Sequence, residues 1–145
     1  MTAATCPLCE VVSGTRETPG GVLLREGGFT LHALAGPSPL AGWLVLTSDR
    51  HLRAVYELDD EESAALGLLM RRVMRAQREA LGAEHVYAFA IGDMVHHCHV
   101  HLVPRYADTP LHLRGAKCFE ARPEEALAEG VLAEAAARVA ARLGA

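Results

Sequence analysis

The sequence lacks the features that are typical of membrane, secreted and nucleic-acid-binding proteins. No apolar run approaches the roughly 20 residues that a bilayer span needs. No basic segment followed by an apolar stretch begins the sequence, so no signal peptide is expected. Lysine occurs once, at Lys117, and the formal net charge is -4, so neither a nucleic-acid-binding surface nor a polybasic membrane patch is expected. These absences predict a cytoplasmic protein without a membrane or nucleic-acid partner.

The composition is that of a globular protein with a substantial core. The chain has 145 residues, of which 50% are hydrophobic, so we expect one domain spanning residues 1–145. Its four cysteines are Cys6, Cys9, Cys98 and Cys118. In a chain of this length without a secretory signal, we expect reduced thiols rather than two disulfides. The close spacing of Cys6 and Cys9 then indicates metal or redox chemistry.

Hydrophobic spacing and turn residues predict an α+β fold. A helix is expected to begin near Asp59, which can cap it, and to end at Gly82. A second helix is expected to begin at Pro123, whereas residues 105–122 have no regular pattern. Because the links between strands are short, we expect an antiparallel sheet of about five strands, with one long helix and a C-terminal helix. The predicted strands are residues 22–26, 29–34, 42–47, 86–91 and 95–103.

The most informative segment is the last predicted strand, in which His97, His99 and His101 alternate with apolar residues. Side chains of a strand alternate between its faces, so the three imidazoles are expected on one face. Three such rings cannot all be protonated side by side, and some must be neutral near pH 7. A neutral imidazole can act as a nucleophile, a base or a metal ligand.

Two chemistries fit this pattern, beside the simpler explanation of a surface strand rich in histidine. One is a catalytic zinc held by three histidines, which activates water. The other is covalent phosphoryl chemistry, in which one histidine attacks phosphorus and another assists the leaving group. Histidine is not a favoured strand residue, so packing alone does not account for the alternation.

The segment His97-Cys98-His99-Val100-His101-Leu102-Val103 resembles the motif of the histidine triad (HIT) superfamily, in which three histidines alternate with apolar residues. The turn at residues 92–95 and the apolar strand at residues 42–46, followed by His51, are also similar to that family. The resemblance extends from Cys6 to about Arg105. It implies an α+β fold, usually a homodimer, and hydrolysis or transfer of nucleoside monophosphates.

The resemblance also implies a role for each matching residue. His99 would be the nucleophile that forms a nucleotidyl-histidine intermediate, and His101 would contact the α-phosphate and help the leaving group. The backbone of His97 would orient the His99 ring. The turn containing Gly92 and Met94 would bind the phosphate through backbone N–H groups, which stabilise charge where it develops.

Some bacterial members of the family bind structural zinc, and their ligands correspond here to Cys6, Cys9, His51 and His97. Two thiolates with two imidazoles form the closed tetrahedral set of a structural site. We therefore expect a zinc ion that holds the N-terminus beside the histidine strand. The alternative is a pair of buried free thiols with His51 as a hydrogen-bond partner.

The sequence departs from the family where many nucleotide-hydrolysing members carry an aspartate that binds the ribose hydroxyls. Leu34 and Ala35 stand at the corresponding place. This departure keeps a third hypothesis open, a non-catalytic module that binds a nucleotide or a partner protein. Trp43 is expected in the core, and no role is assigned to His32.

Overall fold

The computed structural model describes residues 1–144 as an antiparallel sheet of five strands in the order β1-β2-β3-β5-β4. Helices cover one face of this sheet, which confirms the predicted α+β fold. Among the helices of residues 1–144, none has both the length and the hydropathy needed to cross a membrane. The strands are β1 Val22–Glu26, β2 Phe29–Ala33, β3 Leu44–Ser48, β4 His85–Phe89 and β5 His99–Arg105.

The turn between β1 and β2 depends on two glycines. Gly27 and Gly28 have φ values of 61° and 84°, and Glu26 pairs with Phe29 across them. A two-residue hairpin turn needs this left-handed backbone, which glycine adopts without a steric penalty. A Cβ on Gly27 would also lie 2.6 Å from the Cβ of Ala65. Glycine therefore lets the turn close and lets it pack against the long helix.

The long helix, α2, spans Asp60–Leu81 and has the ends that the sequence predicts. The Asp59 side chain accepts a hydrogen bond from the Glu62 backbone, and the Glu62 side chain accepts one from the Asp59 backbone. This capping box satisfies two backbone donors at the start of the helix. Gly82, with φ 73°, ends the helix in the left-handed conformation.

The two faces of the sheet have different neighbours because strand side chains alternate. Leu31, Leu46 and Val100 form a row across β2, β3 and β5 and belong to the main core, which α2 and α3 (Glu129–Leu143) complete. The next row in register is His32, Val45 and His101, which faces away from those helices. The opposite face of the sheet is therefore free to carry a site.

Three segments outside the strands differ from the sequence-based predictions. A short helix, α1 (Pro7–Ser13), was not predicted. Pro123–Glu125 forms only a 3-10 turn, and α3 begins later, at Glu129. Residues 105–122, for which no regular structure was predicted, contain two 3-10 helices, Leu111–Leu113 and Gly115–Glu120.

The last strand starts and ends later than predicted. β5 begins at His99 and continues through Pro104 to Arg105. Proline usually interrupts a strand because it lacks an N–H donor. Here the pairing of β3 with β5 already ends at Leu102, so Pro104 does not interrupt the β3–β5 ladder.

Candidate active site and metal site

The three alternating histidines divide between two neighbouring sites. His99 and His101 lie in β5, and their ring centroids are 4.9 Å apart. His97 lies before the strand, is fully buried, and has its Nδ1 atom 3.3 Å from Cys6 Sγ and 3.5 Å from Cys9 Sγ. The prediction of one shared face holds for His99 and His101 but not for His97, since the alternation of the strand does not extend to it.

The His99 ring is oriented by the backbone next to it. Its Nδ1 atom lies 2.5 Å from the carbonyl oxygen of His97. A carbonyl only accepts, so Nδ1 carries the proton and donates it, and Nε2 is left with a free lone pair. Burial lowers the pKa of His99, and the His97 carbonyl offsets part of this effect. The ring is therefore neutral at pH 7, with its nucleophilic nitrogen unprotonated.

His101 is held by the side chain of the residue that precedes β3. The indole Nε1–H of Trp43 donates to His101 Nδ1 over 3.0 Å. Burial, followed by repulsion from His99 and His32, lowers the pKa of His101 to about 3. The ring is neutral at pH 7, and because its Nδ1 accepts, its proton is on Nε2.

His32 lies in the same cross-strand row as His101 and is fully buried. Its Nδ1–H donates to the Ala33 carbonyl over 2.7 Å, and its Nε2 accepts from the Thr47 hydroxyl over 2.8 Å. Burial lowers the pKa of His32 to about 4, although the Ala33 carbonyl opposes the shift. This histidine is a neutral residue in the floor of the site, whose ring nitrogens both have partners.

His99 and His101 line a cavity of about 570 Å³ on the open face of the sheet. Strands β2, β3 and β5 form its floor, and its walls, which are mostly apolar, come from α1 and from residues 34–43, 91–95 and 118–121. A cavity of this size accommodates a small organic ligand. The apolar side chains of its wall include Leu34, Pro37, Trp43, Ile91, Met94 and Phe119.

The turn between β4 and β5 forms one side of this cavity. Gly92, with φ 70°, and Met94, which is 88% exposed, both line it, and their binding of phosphate stays a prediction. The Arg53 guanidinium donates to the Gly92 carbonyl over 2.8 Å and holds the turn from outside. Asp93 also lines the cavity and adds a negative charge at its exposed edge.

The second site consists of Cys6, Cys9, His51 and His97, whose donor atoms all lie within 4.8 Å of one another. Cys6 stands at the N-cap position of α1 and Cys9 lies about one turn further on, so the two thiols lie on the same side of the helix. His51 Nδ1 is 3.1 Å from Cys9 Sγ. The group can hold a metal ion.

The chemistry of these donors fits zinc. Zinc bonds of about 2.3 Å to sulfur and about 2.0 Å to nitrogen place S and N roughly 3.5 Å apart in a tetrahedron, close to the distances between these thiols and imidazoles. His97 Nε2–H donates to the Ser48 carbonyl over 2.7 Å, which leaves Nδ1 unprotonated and directed at the thiols. Burial and the neighbouring Cys6 raise the pKa of Cys9 to about 11, a cost that a bound dication would offset.

The family model of the HIT domain matches residues 30–108, which are more than half of the chain. The chain belongs to the HIT family. The matched range includes His51, all three histidines of the motif and the turn at Gly92. Cys6 and Cys9 lie before it.

Solved structures of other HIT proteins have the same fold. The chain is similar to a HIT-like protein from Bartonella henselae described as involved in cell-cycle regulation, with a TM-score of 0.76, 13% identity and 98% of each chain covered. A zinc-bound histidine triad protein from Mycobacterium smegmatis gives a TM-score of 0.66 and 22% identity, over 94% of this chain and 96% of that one. A HIT family hydrolase from Clostridium thermocellum gives a TM-score of 0.54 and 17% identity, over 75% of this chain and 97% of that one. No curated protein matched the sequence.

Three residues of this HIT protein's site escaped the sequence analysis. Trp43 was expected only in the core, yet it is both buried and bonded to His101. His32 and Arg53 were assigned no role, because nothing in the local sequence places them beside residues far along the chain. For His32, the polar residue within an apolar strand was the one available signal, since a buried histidine needs hydrogen-bond partners.

Proposed function

We propose that this HIT protein hydrolyses or transfers nucleoside monophosphate groups through a covalent nucleotidyl-His99 intermediate. The supporting observation is the hydrogen bond from His99 Nδ1–H to the His97 carbonyl, which leaves Nε2 as a free lone pair at the cavity. Family membership supports a nucleotide-related function.

In the proposed first step, the His99 Nε2 lone pair attacks the α-phosphorus. A P–N bond forms, and the bond from phosphorus to the leaving group breaks with its electron pair. The leaving group accepts a hydrogen bond from His101 Nε2–H, and an amine leaving group takes its proton from water. In the second step, water or another acceptor attacks phosphorus, a new bond to phosphorus forms, and the P–N bond breaks with its electron pair returning to His99 Nε2. The proton of the attacking group passes to solvent, the nucleotide leaves and His99 is neutral again.

The remaining predicted site residues have supporting roles in this proposal. The His97 carbonyl keeps the nucleophile in one tautomer, which is a requirement for attack through Nε2. The turn at Gly92 and Met94 would bind the phosphate oxygens, and the apolar wall would hold the organic part of the substrate. Gly92 and His99 also line one small pocket together, so a phosphate bound at this turn would lie beside the nucleophile.

We further propose that Cys6, Cys9, His51 and His97 bind a structural zinc ion. The ion would supply a rigid link between the N-terminal segment and His97, whose carbonyl orients the nucleophile. Four protein ligands leave no open position for water, which is the pattern of a structural site. The catalytic three-histidine alternative is disfavoured, because His97 Nδ1 faces the thiols while His99 Nδ1 donates to a carbonyl.

The test is single-turnover and steady-state kinetics with adenosine 5′-phosphoramidate and a dinucleoside polyphosphate. Wild-type protein should form an adduct on His99, detectable by mass spectrometry after acid-free quenching, and the His99→Ala variant should form none. Loss of a covalent nucleophile should lower turnover by a factor on the order of 10⁴ or more. His85→Ala, at an exposed position on the edge strand, is the matched control.

Two outcomes would decide against this proposal. Unchanged turnover in His99→Ala would remove His99 as the nucleophile. Tight nucleotide binding by the wild type, with neither turnover nor adduct, would identify the protein as the non-catalytic binding module.

A homodimer and a cytoplasmic location stay predictions, which sedimentation analysis and cell fractionation would test.

A further inference from the structure

Trp43 is the one tryptophan of the chain, and its ring is held on several sides. The residue is 4% exposed and packs in a small cluster that includes Val103 and Cys118. The Phe119 ring meets it edge-on at a centroid distance of 5.2 Å. An indole enclosed in this way cannot turn its N–H group elsewhere without breaking these contacts.

The direction of its hydrogen bond is unambiguous. An indole Nε1–H only donates, so His101 Nδ1 must accept. Within residues 1–144, this is the one hydrogen bond that the His101 ring makes. Its other ring contacts, edge-on to His99 and to Phe119 at 4.9 and 5.0 Å between centroids, restrict the ring but do not distinguish its two nitrogens.

We propose that Trp43 is a positioning residue, whose indole N–H holds neutral His101 with its Nε2–H available to the substrate. Without this bond, the ring could rotate or shift its proton to Nδ1, and it would then offer a lone pair where the reaction needs a donor. A neutral donor stabilises the charge that develops on the phosphate or leaving group without being protonated first. This consequence for catalysis rests on the proposed function, whereas the state of the His101 ring does not.

The first test measures the His101 ring directly, by NMR of protein with ¹⁵N-labelled histidine and tryptophan near pH 7. The wild type should give the pattern of a single Nε2–H tautomer for His101, assigned with His101→Gln. A scalar coupling between Trp43 Nε1 and His101 Nδ1 should cross the hydrogen bond. Because the chain has one tryptophan, only one indole resonance has to be examined.

Trp43→Phe keeps an aromatic ring and removes only the donor, so the shifts of the two His101 nitrogens should move toward each other as the tautomers mix. Phe119→Leu is the matched control, since it removes another ring packed on His101 and keeps the indole donor of Trp43. This control should keep the wild-type tautomer. If Trp43→Phe does not fold, the coupling in the wild type decides the question alone.

The second test is kinetic. Removal of a complete transition-state donor lowers kcat by about 10²- to 10³-fold, and we expect this loss for His101→Gln. Trp43→Phe keeps the His101 ring, so its kcat should fall less, by roughly 10- to 100-fold. KM should change by less than about threefold, because the interaction acts mainly in the transition state.

Several results would overturn the inference. They are an Nδ1–H tautomer in the wild type, no coupling across the hydrogen bond, or a Trp43→Phe spectrum identical to wild type. An unchanged kcat in Trp43→Phe, with a reduced one in His101→Gln, would reject the catalytic consequence. If the wild type has no turnover at all, the proposed function fails, and the NMR experiment still decides whether Trp43 sets the state of His101.

Discussion

The buried His32 should make the stability of the protein sensitive to mild acid. Its pKa is lowered from 6.5 to about 4, chiefly because burial disfavours the imidazolium. Between these values the unfolded chain binds a proton that the folded protein does not, so stability falls as the pH decreases. The contribution of neutral His32 to the free energy of unfolding is fully present above about pH 6.5 and is lost by about pH 4.

The size of this effect follows from the pKa shift. One pKa unit corresponds to about 1.4 kcal/mol, so the shift of His32 amounts to about 3 kcal/mol in the free energy of unfolding. This is a large part of the 5–15 kcal/mol that is typical of a folded domain. The contribution should be resolved by urea unfolding at several values from about pH 7 to about pH 4.

The comparison uses His32→Leu, which removes the titrating group. The free energy of unfolding of this variant should decrease by about 3 kcal/mol less than that of the wild type over the same pH range. Thr47→Val is the matched control, because it removes the hydrogen bond to His32 Nε2 but keeps the buried imidazole. Its pH dependence should follow the wild type. Parallel curves for wild type and His32→Leu would refute the reasoning; any offset at neutral pH does not enter the comparison.

Three further predictions concern the fold and the metal site. Gly27→Ala should destabilise the protein by about 2–4 kcal/mol in urea unfolding, since the φ of Gly27 is positive and an added Cβ would meet Ala65. Gly67→Ala, on the open side of α2, should instead stabilise the protein by roughly 0.5–1 kcal/mol. Equal effects of the two substitutions would contradict this prediction. Asp59→Ala should cost about 1 kcal/mol in the same assay by removing the cap of α2, and no loss would show that the capping box is dispensable. Elemental analysis should find about one zinc per chain in the wild type and none in Cys6→Ser/Cys9→Ser, with a lower Tm in the variant and after chelation; retained metal would exclude this site.

Local sequence rules account for the elements whose signals are close together in the chain. Asp59 with Glu62 and Gly82 specify the two ends of α2, and Gly27 with Gly28 specifies the first hairpin, because capping and turn geometry involve only neighbouring residues. α1 was missed because it is a single short helix whose stability comes from its contacts, not from its propensity.

The alternation of histidines predicted correctly that His99 and His101 share a face. It misplaced His97, because β5 begins where its pairing with β3 begins. The first residue of β5 in this pairing is His99, which lies opposite Thr47. Strand boundaries are set by such pairing partners, which a single segment of sequence does not reveal. The metal-site residues were grouped by family resemblance, and the structure brings their donor atoms together from three separate segments.

By itself, the sequence determined the fold class, the long helix and the residue types able to carry phosphoryl and metal chemistry, because periodicity, caps and side-chain chemistry are local properties. For His97 and His101, the tertiary structure decided which nitrogen carries the proton, whereas His32 and His99 donate to carbonyls one and two residues away in the chain. That choice depends on whether a carbonyl or an indole lies opposite the ring, and the Ser48 carbonyl and the Trp43 indole come from β3 and from the residue that precedes it. Only the folding of β3 against its neighbouring strands supplies these partners.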